Sequence, residues 1–321
     1  MNKITKIVLF VLLFPFGLSY CIAQTQVGLK TVEVQGEKKI NEAAIEELAF
    51  QVLNAKKDEE RLLASEELKA MLKNELSKKT AFEFPFDGVK SMSIITPPDS
   101  SFRLFNWNIP FNDGTYEYEC GILKQEDNSK TSFYFLSPVT NDSIEAEKAT
   151  TANKQWFPGL FYELIQKETK FQTYYTLLIW EGNDRLTTKK HIDVLWFDQG
   201  GDIRFGAPIF IKEGRKKNRI IFEFSGQESM KMNYNSETDQ IQFDLLVPVR
   251  SDYAGIYEYY FPAITQDAYQ WQEKHWTFLK LIDPDKEKKK EIKKYDKELK
   301  KAKKELIQSK DTVIKYSPAP Q

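Results

Sequence analysis

Residues 102–123 read FRLFNWNIPFNDGTYEYECGIL. Apolar and aromatic residues crowd the run Phe102–Ile109, and a second run, Thr115–Lys124, alternates apolar with polar. Asn112-Asp113-Gly114 lies between them. A turn of this composition is a strong hairpin signal, because Asp-Gly supplies the backbone angles that a tight return of the chain needs. Alternation places Tyr116, Tyr118, Cys120 and Ile122 on one face of the second strand, and Glu117 and Glu119 on the other. The stretch therefore predicts two antiparallel strands, with Cys120 a buried, inert thiol.

The same texture extends outward. Thr131–Leu136, Phe161–Glu168, Gln172–Trp180, Lys190–Phe197, Ile203–Ile211, Arg219–Phe224, Met230–Tyr234, Gln240–Leu246, Ile256–Phe261 and Trp276–Ile282 all read as strands. Most are joined by brief polar turns such as Gln199–Asp202 and Asn235–Thr238. Short links imply antiparallel pairing, since a parallel link needs a long crossover. Residues 85–282 are thus expected to form one antiparallel meander β domain of about a dozen strands, as a sandwich, an open barrel or a propeller-like array. Aromatic residues make up 14% of the chain, which also favours strands.

Both ends read differently, so the fold class is mainly β with helical ends (α+β). Ile45, Leu48, Ala49, Val52 and Leu53 recur at helical steps, and a second helix carries Leu62, Leu63, Met71, Leu72 and Leu76 to about Lys78, with Asp58 as its N-cap. Residues 41–79 are therefore an N-terminal helical hairpin, preceded by a polar, flexible leader at 24–40. At the other end Asp283-Pro284 opens a charged C-terminal helix over 283–308. Between 283 and 304 it holds eleven lysines against six acids. Ile292, Tyr295, Leu299 and Leu306 follow a heptad step, a seam for weak self-association. Residues 309–321, ending Ser-Pro-Ala-Pro-Gln, are expected to be disordered.

Lys3 and Lys6 precede an apolar run, Ile7–Leu18, which is shorter than the roughly 20 residues that span a bilayer. Small residues follow at the positions that a signal peptidase reads. Residues 1–23 are expected to be a secretory signal cleaved after Ala23, and Tyr20 ahead of Cys21 argues against lipidation. The mature protein would be periplasmic or extracellular, or associated with the outer membrane, and would have no transmembrane span. Removing Lys3 and Lys6 from 46 basic residues against 47 acidic ones leaves a net charge of −3. That near balance gives no case for nucleic acid.

Few chemistries find their residues here. The two histidines, His191 and His275, are 84 residues apart, and no zinc, serine-hydrolase or phosphate-loop motif exists, so no metal and no cofactor are expected. Polar residues do gather around 180–193, where Trp180, Glu181, Asp184 and Arg185 form a loop followed by His191 and Asp193 on one strand face. Ile192, Val194 and Trp196 lie on the opposite face from His191, Asp193, Leu195 and Phe197, so both faces carry apolar residues. If the chain has a site, this polar mouth is where it is expected, as a ligand-binding rather than a catalytic one. Phe105 with Trp107, Tyr257 with Tyr259, and Tyr269 with Trp271 are spaced as strand faces that serve either as core or as a strip for sugar rings.

FRLFNWNIPFNDGTYEYECGIL, YYTLLIWEGND, HIDVLWFDQGGDIRFGAPIF and MKMNYNSETDQIQFDLLVP resemble blocks in secreted envelope proteins of Bacteroidota that have no assigned activity. The likeness spans roughly residues 90–281. It implies export and one β domain, and carries over no catalytic residue. The leading expectation is a non-enzymatic envelope protein that binds a glycan, a cell-wall polymer, a peptide or an envelope protein. The alternatives are a secreted hydrolase using carboxylates near 181–202 (Glu181, Asp184, Asp198, Asp202) and an assembly subunit that associates through its C-terminal helix.

Overall fold

The computed structural model describes residues 39–126, 130–139, 145–152, 154–280, 295–301 and 303–304. The expected signal peptide, the leader up to residue 38, the cap at 283–284, Ile292, Leu306 and the C-terminal tail lie outside the described residues; Ile40, at the end of the expected leader, is buried in the core.

The helical hairpin is present, as α1 (Glu42–Asn54) and α2 (Asp58–Glu75). Asn41 caps α1 by accepting the Ala44 N–H. Asp58 is not the cap of α2. Lys57 holds that position without a side-chain bond, and the Asp58 carboxylate instead accepts the Asn112 N–H and meets Arg61 at 3.0 Å. One face of the pair is apolar and buried, through Ile45, Ala49, Val52, Ala64, Leu68 and Leu72. Leu62 and Leu63 point away from it and are exposed.

The hairpin covers a four-stranded sheet in the order β1 (Ser93–Ile95), β2 (Phe102–Pro110), β3 (Tyr116–Glu126) and β4 (Lys130–Phe135). The β2–β3 pair is the opening stretch of the sequence, in register from Phe102↔Lys124 to Pro110↔Tyr116. Phe105, Trp107 and Ile109 of β2 pack under the helices, and the Trp107 indole donates to Ser65 Oγ at 2.9 Å. Phe102 and Leu104, on the other face, pack with Cys120 and Ile122 against a second sheet. Both readings of the Phe105–Trp107 pair are thereby decided in favour of core.

After a small parallel pair, β5 (Ser137–Pro138) with β6 (Gln155–Trp156), the second sheet begins. It contains β7 (Leu160–Glu168), β8 (Thr173–Glu181), β9 (Thr187–Phe197) and β10 (Ile203–Phe205). The expected strand Ile203–Ile211 is broken at Gly206-Ala207-Pro208, and the chain leaves for a third sheet with β11 (Phe210–Lys212) and β12 (Arg215–Lys217). It then returns as β13 (Ile220–Ser225), which pairs with β9 from Ile220↔Ile192 to Ser225↔Thr187. β9 thus has β8 on one edge, and on the other β13 along its first half and β10 along its second.

The third sheet is completed by β14 (Met232–Asn235), β15 (Gln240–Pro248), β16 (Tyr260–Gln272) and β17 (His275–Lys280). Here β11 lies parallel to β17, so the meander is antiparallel with two parallel exceptions. Tyr257–Tyr259 is a 3-10 turn and not part of a strand; Tyr259 stacks on Tyr253 at 4.4 Å. The strand expected at Ile256–Phe261 instead begins at Tyr260 and runs on through Pro262 to Gln272, held by its ladder to β15.

The three larger sheets are stacked and open; among the described residues none closes into a barrel. Leu177, Ile179 and Leu195 face the first sheet, while Leu178, Ile192 and Val194 face the third. That is why β8 and β9 read as apolar on both faces. The middle sheet has no solvent side, a pattern otherwise typical of covered parallel sheets. Residues 295–301 and 303–304 are helical.

Candidate functional site

The stacked sheets end in loops, and two of these meet at the β8–β9 connection. In that connection Asp184 Oδ1 accepts the N–H groups of Leu186 and Thr187, both at 2.8 Å. These bonds fold the loop on itself and, led by the Thr187 N–H, hold the Asp184 carboxyl below the usual carboxylate range. Asn183 donates to Thr187 Oγ1 at 2.6 Å and accepts from Lys189 at 2.8 Å. The β2–β3 turn comes against this loop. Gly114, at φ +88°, has the Arg185 side chain where a Cβ would stand. The Tyr116 ring packs against Gly182, meets Trp180 edge-on at 5.3 Å, and neighbours Tyr118, whose hydroxyl accepts the Gly182 N–H at 2.7 Å.

A third segment, following β13, closes the other side. Gly226 donates its N–H to the Leu186 carbonyl oxygen at 2.8 Å, and Glu228 meets Lys303 at 3.0 Å. Between these walls lies a cleft of about 530 Å³ lined by Tyr116, Trp180, Arg185, Lys190 and Glu228, with Phe224 and Met230 at its base. Its size is that of a small-ligand site. Arg185 is exposed, Lys190 half-buried, and neither has a carboxylate within ion-pair distance among the described residues. Burial pushes the Lys190 pKa down, with Asp244 opposing in part.

The structure divides the six residues singled out in the sequence. Trp180, Asp184 and Arg185 line the cleft. Glu181 lies behind it, where His191 Nε2 approaches Glu181 Oε2 to 2.7 Å. The approach is off-line: neither imidazole nitrogen has a well-directed hydrogen bond among the described residues. Burial pushes the Glu181 carboxyl up, but His191 and Lys189 outweigh it and leave it below the usual range. His191 and Asp193 are 3% and 0% exposed. They share a strand face without converging, because Asp193 turns to Arg219, whose Nε lies 3.0 Å from Asp193 Oδ2.

The carboxylates of 181–202 do not form one site. Asp198 grips Arg204 and caps its own turn at the far end of β9. Eleven strand residues separate it from the 184 loop, about 35 Å at strand rise, far beyond the roughly 5–10 Å between a glycosidase's two carboxyl groups. Among the described residues no group of three or more His, Cys, Asp or Glu could hold a metal. Cys120 is fully buried, and burial pushes its thiol well up, which leaves it unreactive. Lys190, Tyr116, Phe224 and Glu228 were not legible as site residues, because the pairing of β13 with β9 and the packing of two turns bring them in.

The chain matches no family model, no curated protein and no solved structure.

Proposed function

We propose that this chain is an exported, non-enzymatic envelope protein and that the cleft at the β8–β9 loop binds a carboxylate-bearing stretch of glycan. The observation that carries this reading is the balance of charge in the cleft. Asp184 is taken up by its own loop and Glu228 by Lys303. Arg185 and Lys190 have no carboxylate at ion-pair distance among the described residues, Asp113 and Asp244 acting on them only from farther off, and they stand beside the rings of Trp180 and Tyr116. A guanidinium recognises a carboxylate through paired hydrogen bonds, and an aromatic ring suits the apolar face of a sugar. Export rests on the sequence of residues 1–23.

The hydrolase reading has less support, because Glu181 is taken up by His191 and Asp184 by its own loop, and Asp198 lies at the other end of β9. Calorimetry of the full chain with trigalacturonate and with neutral maltotriose tests the proposal. Trigalacturonate is expected to bind, to weaken with added salt, and to lose about tenfold or more in affinity in Arg185→Ala, the worth of one charged hydrogen bond. Equal binding of the two sugars, or binding of neither, would count against it.

A further inference from the structure

Lys190 has an unusual setting for a lysine at a cleft wall. In the ladder it stands opposite Trp180 on β8 and opposite Phe222 on β13. Residues directly opposed across strands project to the same side, so the side chain rises between two aromatic neighbours. Its amine lies 5.0 Å from the centre of the Tyr162 ring. It is half-buried yet lines the open cleft, and among the described residues no carboxylate pairs with it. A lysine partly withdrawn from water, with Asp244 opposing only in part, gives up its proton more readily than an exposed one and becomes a nucleophile towards carbonyl carbon. The downward push of burial on this amine runs the same way.

We propose that Lys190 is a covalent amine site that condenses with the aldehyde carbon of an anionic ligand steered by Arg185, such as the open-chain reducing end of an acidic saccharide. This rests on the reading of the cleft given above, and names the end of the saccharide that enters. The ammonium first releases a proton to solvent. The nitrogen lone pair then forms the C–N bond, the carbonyl oxygen takes the two remaining nitrogen protons and leaves as water, and an imine is left. Nothing is oxidised or reduced, and no co-reactant is needed.

The test uses the full chain at pH 7 with glyoxylate, the smallest anionic aldehyde, and cyanoborohydride, which reduces the imine to a stable amine. Peptide mass mapping then gives a rate at each lysine. Lys190 is expected to react several-fold faster than the exposed Lys57 and Lys148, and to lose that lead in Arg185→Ala. A Lys190 rate no faster than that of Lys57 would overturn the proposal. Calorimetry with trigalacturonate reduced at its carbonyl end separates the two failures: if that sugar binds, only the covalent step falls, and if it does not, the cleft reading falls with it.

Discussion

Arg219→Met probes the ion pair inside the middle of the molecule. The Arg219 and Asp193 side chains are 0% and 1% exposed. Arg219 Nε donates to Asp193 Oδ2 at 3.0 Å, and its Nη1 donates to the carbonyl oxygens of Ala146 and Ala149. The guanidinium also lies 3.8 Å from the centre of the Phe157 ring. Methionine keeps much of the volume and removes every donor. Among the described residues Asp193 would retain only the Val194 N–H, at 2.7 Å, as a partner. Breaking one side of a buried pair costs about 3–5 kcal/mol, because the remaining charge has neither water nor a partner. At about 2–4 °C per kcal/mol for a domain of this size, Tm should fall by roughly 6–20 °C. Adding Asp193→Leu removes the stranded charge as well, and the double variant should regain half or more of the loss. The remainder reflects the Ala146 and Ala149 carbonyls, at about 1 kcal/mol or more each. Urea unfolding at pH 7, followed by tryptophan fluorescence, measures all three variants. A single-variant loss under about 1 kcal/mol, or a double variant as unstable as the two singles added together, would refute the reasoning.

Two further outcomes are expected. Glu46 accepts hydrogen bonds from the N–H groups of Lys90 and Ser91 and from the Ser91 hydroxyl; burial pushes its pKa up, but these donors outweigh it and hold the carboxyl below its ordinary 4.5. A carboxyl lowered in the fold adds stability above its unfolded pKa and loses it as pH falls through the folded value, so Glu46→Gln should cost about 1 kcal/mol at pH 7 and progressively less below pH ~4.5 in thermal melts. Gly182→Ala would set a Cβ 2.3 Å from the Tyr116 ring, displacing the ring and deforming the cleft; the fold should lose about 1–3 kcal/mol, and trigalacturonate affinity should drop while far-UV circular dichroism stays unchanged.

The β2–β3 hairpin was legible because its turn chemistry and its alternation agree, and both are local. The helices were legible as a pair but not in their orientation: Leu62 and Leu63 fit the helical period, yet Ala64, Leu68 and Leu72 face the sheet. The three-sheet stack was not legible. Its mark, apolar residues on both faces of β8 and β9, was visible, but which sheet covers which face depends on ladders between distant segments. Within the candidate site, the loop at 181–187 could be found from its turn residues. The partners that decide its character could not, since Arg219 reaches Asp193 from 26 residues away and Lys303 reaches Glu228 from 75 residues further along the chain.

The middle sheet, with no face left for water, makes the domain intolerant of being cut short. A chain ending soon after β13 would retain β7, β8 and β9 but lack β14 to β17, which cover Ile165, Leu178, Ile192 and Val194. Those side chains would form a continuous apolar surface, the kind that draws molecules together. Translation and proteolysis both produce partial chains. For this protein such fragments would be sticky intermediates, and the apolar face is covered only when the last strands arrive.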